Sequence, residues 1–263
     1  MSLPTIVLVH GAWHTPANYA HYADALRTQG FTVHCPLLPT CNKSLPGQPC
    51  LNDDIKLVRD LVSSLTNTGH RILMIMHSYG GAVGTEAVQG LAYPIRASTD
   101  GASAGGVIHL VYLCAYILPP ATRIWDIVAE AGFERVFDEY VHTDEQDGST
   151  FPRDPALMFF GGDPTVRRET IDSALGSLVR FPRSALLART GEGPAWRFIP
   201  ATYVITGQDY GVPKIYQEIM LRKVKEAGVE IRLEEFDTCH SVFISRESEM
   251  VRVAVEAAEL HRP

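Results

Sequence analysis

The chain has 263 residues, of which 46% are hydrophobic and 20% charged. This composition is typical of a folded globular protein and excludes a largely disordered one. The formal net charge is −7, which disfavours nucleic acid as the main partner because phosphate recognition needs a basic surface.

Strand and helix signals alternate along most of the chain. Thr15 and Pro16 mark the start of the first helix as N-cap and first helical residue, and Gly30 ends it. The pattern predicts a parallel sheet with helices on both faces. Apolar, β-branched runs predict strands at 5–9, 31–39, 71–76, 106–117, 201–207 and 230–236. Helices are predicted at 15–29, 52–67, 79–91, 213–228 and 245–260.

Residues 119–199 interrupt this alternation. The segment is rich in Pro, Gly, Arg and aromatic residues, and its pattern predicts short helices without a clear buried strand. We therefore predict that residues 1–118 and 200–263 form one α/β core, and that residues 119–199 are a helical cap inserted after the fourth strand.

Three residues with catalytic side chains follow three different predicted strands. Ser78 stands in "HSYGG", Asp209 in "GQDYGVP" and His240 in "DTCHS". In open parallel sheets, ligand sites lie beyond the carboxyl ends of the strands, so these side chains are expected at one edge of the sheet. The sequence thus predicts one site that contains Ser78, Asp209 and His240.

A serine, a histidine and an aspartate at one site indicate nucleophilic catalysis. A serine hydroxyl needs a base to take its proton, which assigns His240 as base and Asp209 as the group that orients it. The oxyanion of the reaction needs N–H donors, for which the backbone amides of Ala12 and Tyr79 are the candidates.

Ser78 has a competing interpretation as part of a dinucleotide-binding turn. The glycines that follow it do not give Gly-x-Gly-x-x-Gly, and the unit is not the first βα unit of the chain. The nucleophile motif is Gly-x-Ser-x-Gly, and here its first glycine is replaced by Met76. Either the Met76 side chain points away into a pocket or the turn geometry is altered.

Asp237 and Asp100 compete with Asp209 for the role of acid. Asp237 is only three residues before His240, and Asp100 lies in a loop of small residues, whereas Asp209 follows a strong strand. His10 is interpreted as structural, and His14 as either a residue of the pocket mouth or a helix cap.

The chain resembles the α/β-hydrolase superfamily in "LVHGAW", "HSYGG", "YVITGQDYGVP" and "CHSVF", over essentially its whole length. It looks most like the small branch of plant methyl esterases and hydroxynitrile lyases. The resemblance implies a mostly parallel six-stranded sheet, a helical cap and no cofactor. The lyases of this branch carry Thr where Gly11 stands and Lys where Ser241 stands, so the esterase side is favoured.

The substrate pocket is expected to be apolar, because aromatic side chains are concentrated in the predicted cap. The candidate lining residues are Gly11, Trp13 and His14 near the first strand, and Trp125, Phe159 and Trp196 in the cap. No metal site is predicted, and the odd number of cysteines shows no zinc-like pairing. Cys41 and Cys50 flank a loop and could form a disulfide, although free thiols are the expectation.

We therefore predict a serine hydrolase that cleaves a small to medium apolar ester or lactone. Two alternatives remain: a lyase, C–C bond hydrolase or tailoring enzyme on the same fold, and a non-catalytic receptor for a small ligand. The expected partner is a small molecule, not nucleic acid or a membrane. No targeting segment is visible, so a cytoplasmic location is expected, while the oligomeric state stays open with a homodimer included.

Overall fold

Parallel pairing runs through the whole of the main sheet. In the computed structural model the described residues are 3–42, 48–94, 105–161 and 163–261. Their strands are β1 (Thr5–Val9), β2 (Val33–His34), β3 (Arg71–His77), β4 (Gly106–Leu113), β5 (Val141–Thr143), β6 (Ser149–Pro152), β7 (Phe181–Pro182), β8 (Ala201–Thr206) and β9 (Arg232–Phe236). Six of them form one sheet in the order β2-β1-β3-β4-β8-β9. Each neighbouring pair in it is parallel, so the predicted fold class is confirmed.

Helices cover both faces of this sheet. They are α1 (Ala20–Thr28), α2 (Leu51–Asn67), α3 (Gly80–Ala87), α4 (Ile124–Glu130), α5 (Phe137–Tyr140), α6 (Pro155–Phe160), α7 (Arg168–Gly176), α8 (Arg183–Leu187), α9 (Lys214–Glu226), α10 (Val242–Ser245) and α11 (Glu247–Glu259). Within β1, Ile6 and Leu8 join the core formed with α1 and α11, whereas Val7 and Val9 join the core formed with α2 and α3. This alternation explains why the whole of β1 is apolar.

Several predicted elements have different bounds in the structure, and the strand predicted at 106–117, for example, ends at Leu113. The strand predicted at 31–39 is only β2, because Pro36 and Pro39 cannot donate ladder hydrogen bonds and β2 pairs with β1 alone. The helix predicted at 245–260 is α11, and a separate short helix, α10, precedes it, with a break at Arg246, whose φ is −134°.

The segment at 119–199, which we call the insert, contains strands that the sequence pattern did not indicate. β5, β6 and β7 form a three-stranded antiparallel sheet within it, beside the short helices α4 to α8. These strands have two to four residues, which is too short for an alternating pattern to be recognised.

The carboxyl ends of the six parallel strands share one edge of the main sheet. β1 leads to Ala12, β3 to Ser78, β8 to Asp209 and β9 to His240. Across the described ranges, no helix has the length and apolar character needed to cross a bilayer.

Candidate active site

Ser78 stands on a sharp turn between β3 and α3. Its φ is +55°, a left-handed conformation that residues other than glycine seldom adopt. The turn is tight, because a Cβ at Gly80 would overlap with the carbonyl oxygen of Val9 and lie 2.8 Å from that of His10. Such a strained strand-to-helix turn is typical of a nucleophile elbow.

Met76 occupies the position at which the elbow motif has its first glycine. A Cβ on Gly84 of α3 would overlap with Sδ of Met76 and lie 2.8 Å from its Cγ. The Met76 side chain therefore fills the space that Gly84 leaves free, and β3 and α3 approach closely with the left-handed turn intact. The small residue that the crowded elbow requires is on the helix instead of the strand.

Replacing Gly84 by alanine is expected to destabilise the protein by about 1–3 kcal/mol, because the new methyl group meets Met76 in a packed core. Met76→Ala alone should cost about 2–5 kcal/mol, since it leaves a cavity. In the double variant the methyl group enters that cavity, so the combined loss should be smaller than the sum. Denaturant unfolding of all four proteins measures this coupling, and additive losses would contradict the packing described.

Asp209 and His240 form a buried pair. Oδ2 of Asp209 lies 2.8 Å from Nδ1 of His240, and both residues are buried. The other oxygen, Oδ1, accepts hydrogen bonds from the backbone N–H groups of Gly211 and Val212 at 2.8 and 2.7 Å. Thr206 donates its hydroxyl to Oδ2 at 2.7 Å. The carboxylate is therefore fixed at both oxygens and holds His240 through Nδ1. Among the described residues, Nε2 of His240 has no hydrogen-bond partner.

The structure excludes Asp237, one of the two other candidates for the acid that orients His240. Asp237 Oδ1 accepts a hydrogen bond from Nε2 of Gln208 at 2.9 Å, an exposed contact that does not involve His240. Asp100 lies outside the described residues. Among the described carboxylates, Asp209 is therefore the one bonded to the His240 ring.

A hydrogen-bond chain links the turn after β1 to His240 through His77. The Gly11 N–H donates to the Tyr19 hydroxyl at 3.0 Å, and that hydroxyl lies 2.7 Å from Nδ1 of His77. His77 Nε2 in turn lies 3.0 Å from the carbonyl oxygen of His240. Because a carbonyl only accepts, Nε2 carries the proton and Nδ1 accepts from Tyr19. Burial holds the pKa of His77 well below its ordinary value, so the ring is neutral.

His77, Cys114 and His240 could be taken for metal ligands, because their donor atoms lie within 4.8 Å of one another. However, His77 Nε2 and Cys114 Sγ both bond to the carbonyl oxygen of His240, at 3.0 and 3.3 Å. Burial also raises the pKa of the Cys114 thiol well above its ordinary value, which disfavours the thiolate that binds metals. Hydrogen bonding therefore accounts for the cluster.

The two candidate oxyanion donors, Ala12 and Tyr79, line the same cavity as Ser78. Tyr79 follows Ser78 directly, and its hydroxyl donates to Oδ2 of Asp54 at 2.7 Å. Asp54 is fully buried and also accepts from the Thr40 hydroxyl at 2.6 Å. Burial raises the pKa of Asp54 to about 6. The sequence analysis did not single out this anchor, because Asp54 looked like one more acidic residue at the start of α2.

The cavity above Ser78 has a volume of about 340 Å³. Trp13 is the one predicted pocket residue among those that line it. The other lining residues are Ala12, Ser78, Tyr79, Tyr116, Ile124, Val128, Phe133, Phe137, Tyr140, Val141, Met158, Leu186, Asp209, Tyr210, Gly211, Pro213 and Tyr216. The cavity wall is largely apolar, and the other five residues predicted to line the pocket are not among its lining residues.

Two of these residues, Gly11 and His14, belong to the turn after β1. A Cβ on Gly11 would lie 3.0 Å from Cβ of Ser78, so Gly11 packs directly against the elbow. His14 is buried and caps no helix on the surface, because its Nδ1 lies 2.8 Å from the Ala12 carbonyl oxygen. Burial lowers the pKa of His14 to about 3, so the ring is neutral and donates to that carbonyl.

The three insert aromatics that were predicted to line the pocket pack elsewhere. Phe159 lies against the His14 ring, with 4.7 Å between ring centroids. Trp125 packs on Phe137 at 5.0 Å, and Trp196 donates its indole N–H to the carbonyl oxygen of Leu118 at 3.0 Å. Aromatic character alone does not distinguish a lining residue from a supporting one, because both are apolar.

The arrangement of Ser78, Asp209 and His240 at the sheet edge agrees with the result of family comparison. The model of the alpha/beta hydrolase family matches residues 6–253. The chain belongs to the alpha/beta hydrolase family. The superfamily resemblance noted in the sequence is thereby confirmed.

Proteins of similar sequence or structure match the hydrolase over nearly its whole length. Alpha/beta hydrolase nvfD of Aspergillus novofumigatus (strain IBT 16806) is 25% identical over 262 residues, with 98% of each chain covered. A pyrethroid hydrolase from Sphingobium faniae JZ-2 superposes with a TM-score of 0.74 at 18% identity, again with 98% of each chain covered. Polyneuridine aldehyde esterase superposes with a TM-score of 0.73 at 14% identity and covers 97% of this hydrolase and 99% of that chain.

Trp13 joins the turn after β1 of the hydrolase to the insert. Its φ is +62°, which is rare for a bulky residue. Its indole N–H lies 3.1 Å from both the carbonyl oxygen and the hydroxyl of Thr150 on β6, and its carbonyl oxygen accepts from the Val179 N–H at 2.8 Å. Because Trp13 follows Ala12, these bonds fix the direction of the Ala12 peptide relative to Ser78.

Trp13→Phe in the hydrolase is expected to lower kcat about 10- to 100-fold with a smaller change in KM. The ring remains apolar, but the bond to Thr150 is lost and the Ala12 N–H loses its fixed direction. Complete loss of one oxyanion donor costs about 10²–10³. Steady-state ester hydrolysis and the affinity for a boronic-acid transition-state analogue measure the effect. Unchanged kcat and boronate affinity would show that the bond does not position Ala12.

The cysteines of the hydrolase are free, including Cys41 and Cys50. Burial raises the pKa of Cys41 to about 12, so its thiol is protonated and unreactive at neutral pH. The expected absence of a Cys41–Cys50 disulfide therefore agrees with the structure.

Proposed function

We propose that the chain is a serine hydrolase that cleaves an uncharged, largely apolar carboxylic ester or lactone through an acyl-enzyme. The observation that carries the proposal is the buried Asp209–His240 hydrogen bond together with a strained Ser78 that lines the same apolar cavity as Asp209. Neighbours in fold include an esterase, which agrees with this chemistry.

In the proposed reaction, Ser78 Oγ attacks the carbonyl carbon of the ester while Nε2 of His240 takes the serine proton. The N–H groups of Ala12 and Tyr79 hold the resulting oxyanion. Collapse of the tetrahedral intermediate breaks the bond to the alcohol, which leaves with the proton from His240. Water then attacks the acyl-enzyme with His240 as base, and the acid departs as Ser78 regains its proton.

The cavity favours a neutral substrate. Among its described lining residues there is no Lys, Arg or His, and the one carboxylate is Asp209, which is occupied by His240 and three further donors. A substrate carboxylate would therefore lose its hydration without gaining a counter-ion, at a high energetic cost. A volume of about 340 Å³ suits a small to medium acyl or alcohol group.

Gly11 and Ser241 support hydrolysis over lyase chemistry. In the lyases of the resembling branch, Thr and Lys at these two positions serve the cyanohydrin hydroxyl and the cyanide charge. Here a Cβ on Gly11 would lie 3.0 Å from Ser78 and 3.1 Å from Nδ1 of His77, so a larger residue would require the elbow to move.

The test combines active-site labelling with turnover. A fluorophosphonate probe should modify the wild-type protein, and mass spectrometry should locate the adduct on the peptide that contains Ser78. The protein should hydrolyse p-nitrophenyl butyrate, whereas mono-p-nitrophenyl succinate, its charged analogue of similar size, should react at least about tenfold more slowly.

The outcomes separate the proposal from its alternatives. Labelling of Ser78 without turnover of any ester would favour a lyase or C–C bond hydrolase on the same scaffold. Neither labelling nor turnover, with thermal stabilisation by a bound small molecule, would favour a receptor. Either result would refute ester hydrolysis as the function.

A further inference from the structure

Seven tyrosines are buried in the part of the chain that the structure describes, and five of them bond through the hydroxyl to another protein group. These hydroxyls pair as follows: Tyr19 with Gly11 and His77, Tyr22 with Met250, Tyr79 with Asp54, Tyr112 with Thr85, and Tyr203 with Ala115. This is the expected condition, because a buried hydroxyl without a partner costs about 1–3 kcal/mol.

Tyr116 and Tyr216 are the exceptions. Their exposed fractions are 7% and 5%, and neither hydroxyl has a hydrogen-bond partner among the described residues. Among the described side chains, the polar atoms that are both sealed from solvent and unpartnered belong to Gln89 and Glu134. The hydroxyls of Tyr116 and Tyr216 are therefore unpartnered but not sealed from solvent. Both tyrosines line the cavity above Ser78. An unpartnered hydroxyl on a residue of the cavity wall is available to a molecule in the cavity.

The two tyrosines come from neighbouring elements on the Asp209 side of the cavity. Tyr116 follows β4, and its backbone N–H donates to the carbonyl oxygen of Ser78 at 2.9 Å. Tyr216 lies on α9, which begins just after the Asp209 loop, and its ring meets Phe133 edge-on at 5.5 Å. Both side chains are therefore held by packing or backbone bonds while their hydroxyls are unused.

Both hydroxyls carry their protons at neutral pH. Burial raises the pKa of Tyr116 well above its ordinary value, and burial likewise raises that of Tyr216. Each can donate one hydrogen bond and accept another. Two other buried side chains of the cavity wall differ, because the Tyr79 hydroxyl and the Trp13 indole are bound to Asp54 and Thr150. Tyr140 and Tyr210 also line the cavity, but both are exposed.

We propose that Tyr116 and Tyr216 recognise an oxygen substituent, a carbonyl or a hydroxyl, on the part of the substrate remote from the scissile ester. The inference rests on the proposed function and narrows its substrate class to oxygenated neutral esters. A site that hydrogen-bonds a substrate oxygen discriminates strongly against the analogue that lacks it, because the protein groups are then left unpaired.

The first experiment uses matched esters: p-nitrophenyl hexanoate and its 4-oxo, 5-oxo and 6-hydroxy analogues. For wild type, kcat/KM for at least one oxygenated ester should exceed that for plain hexanoate about tenfold or more. In Tyr116→Phe and in Tyr216→Phe this ratio should fall about tenfold. Tyr93→Phe, an exposed tyrosine away from the cavity, should keep the wild-type ratio.

A second experiment reads binding without chemistry and so separates this inference from the proposed function. In Ser78→Ala protein, the preferred oxygenated ester should raise the melting temperature more than plain hexanoate does. Adding Tyr116→Phe or Tyr216→Phe should remove the difference. If wild type cleaves no ester but this difference in melting temperature is found, the proposal of ester hydrolysis fails, whereas the proposed recognition of a substrate oxygen by Tyr116 and Tyr216 is supported.

The proposal is overturned if neither the kcat/KM values of wild type nor the melting temperatures of Ser78→Ala protein show a preference for any oxygenated ester. It is equally overturned if the two phenylalanine variants lower kcat/KM for all four esters by the same factor. The hydroxyls would then hold water only, and the tyrosines would act as apolar walls.

Discussion

Replacing Ser78 by alanine is expected to lower kcat for ester hydrolysis by about 10⁶-fold, the loss usual for the nucleophile of a triad hydrolase. The hydroxyl is the atom that forms the acyl bond, and no neighbouring group is placed to substitute for it. Cys114 lies close to His240, but its thiol is buried, protonated and bonded to the His240 carbonyl.

Alanine at position 78 keeps the left-handed turn, so the variant should fold with an unchanged melting temperature. Ser64→Ala, on the exposed face of α2, is the matched control and should retain full activity. Initial rates with p-nitrophenyl butyrate and fluorophosphonate labelling measure the effect. Residual labelling of Ser78→Ala at the wild-type rate would place the nucleophile elsewhere.

Asp209→Asn is expected to lower kcat by about 10⁴-fold while the fold persists. The asparagine carbonyl oxygen can take over the bonds from Gly211 and Val212, which turns its NH₂ group toward Nδ1 of His240. That nitrogen must then accept, so the ring carries its proton on Nε2. A protonated Nε2 cannot take the proton of Ser78, and the base is lost through the wrong tautomer.

Asp237→Asn is the matched control for this prediction. Asp237 bonds to Gln208 at an exposed site, so its amide should leave kcat near the wild-type value. Combining Asp209→Asn with Ser78→Ala should cost no more than Ser78→Ala alone, because the residues act as one unit. If Asp209→Asn kept more than a tenth of the activity, another group would have to orient His240.

In the proposed reaction, the insert would contribute to catalysis through the turn after β1. Trp13 and Tyr79 flank the cavity, and each is anchored at a distance, Trp13 by Thr150 of the insert and Tyr79 by Asp54 of α2. Preorganised donors avoid the cost of reorientation during the reaction. The expected kcat loss in Trp13→Phe tests this contribution of the insert directly.

The position of the site followed from the sequence because of a general property of parallel sheets. Ser78, Asp209 and His240 are far apart along the chain, yet each follows a strand, and parallel strands end at one edge. Apolar runs locate such strands, since strands buried on both faces lack polar residues. The six-stranded sheet and the sheet edge at which these residues lie could therefore be predicted without coordinates, and the family followed from the resemblance of the motifs around them.

The lining of the cavity could not be predicted in this way. Phe133, Phe137 and Met158 line it, while Trp125, Phe159 and Trp196 support it, although all six are apolar residues of the same segment. Which side chain faces the cavity depends on how the short helices and the three small strands of the insert pack over the sheet edge. Their sequences are too short to carry a periodic signal.

By itself, the sequence determined the order of strands and helices, and it placed Ser78, Asp209 and His240 after strands that end at one edge, because these depend on local hydrophobic patterns and on their periodicity. The family followed from the resemblance of short motifs. Only the tertiary structure decided how Met76 fits, since the space it fills belongs to Gly84, a residue of the next helix. It also decided that two of the seven buried tyrosine hydroxyls lack a hydrogen-bond partner among the described residues. The hydrogen-bond partners of a side chain and the space open to it depend on contacts between segments that are distant along the chain, so no local sequence pattern encodes them.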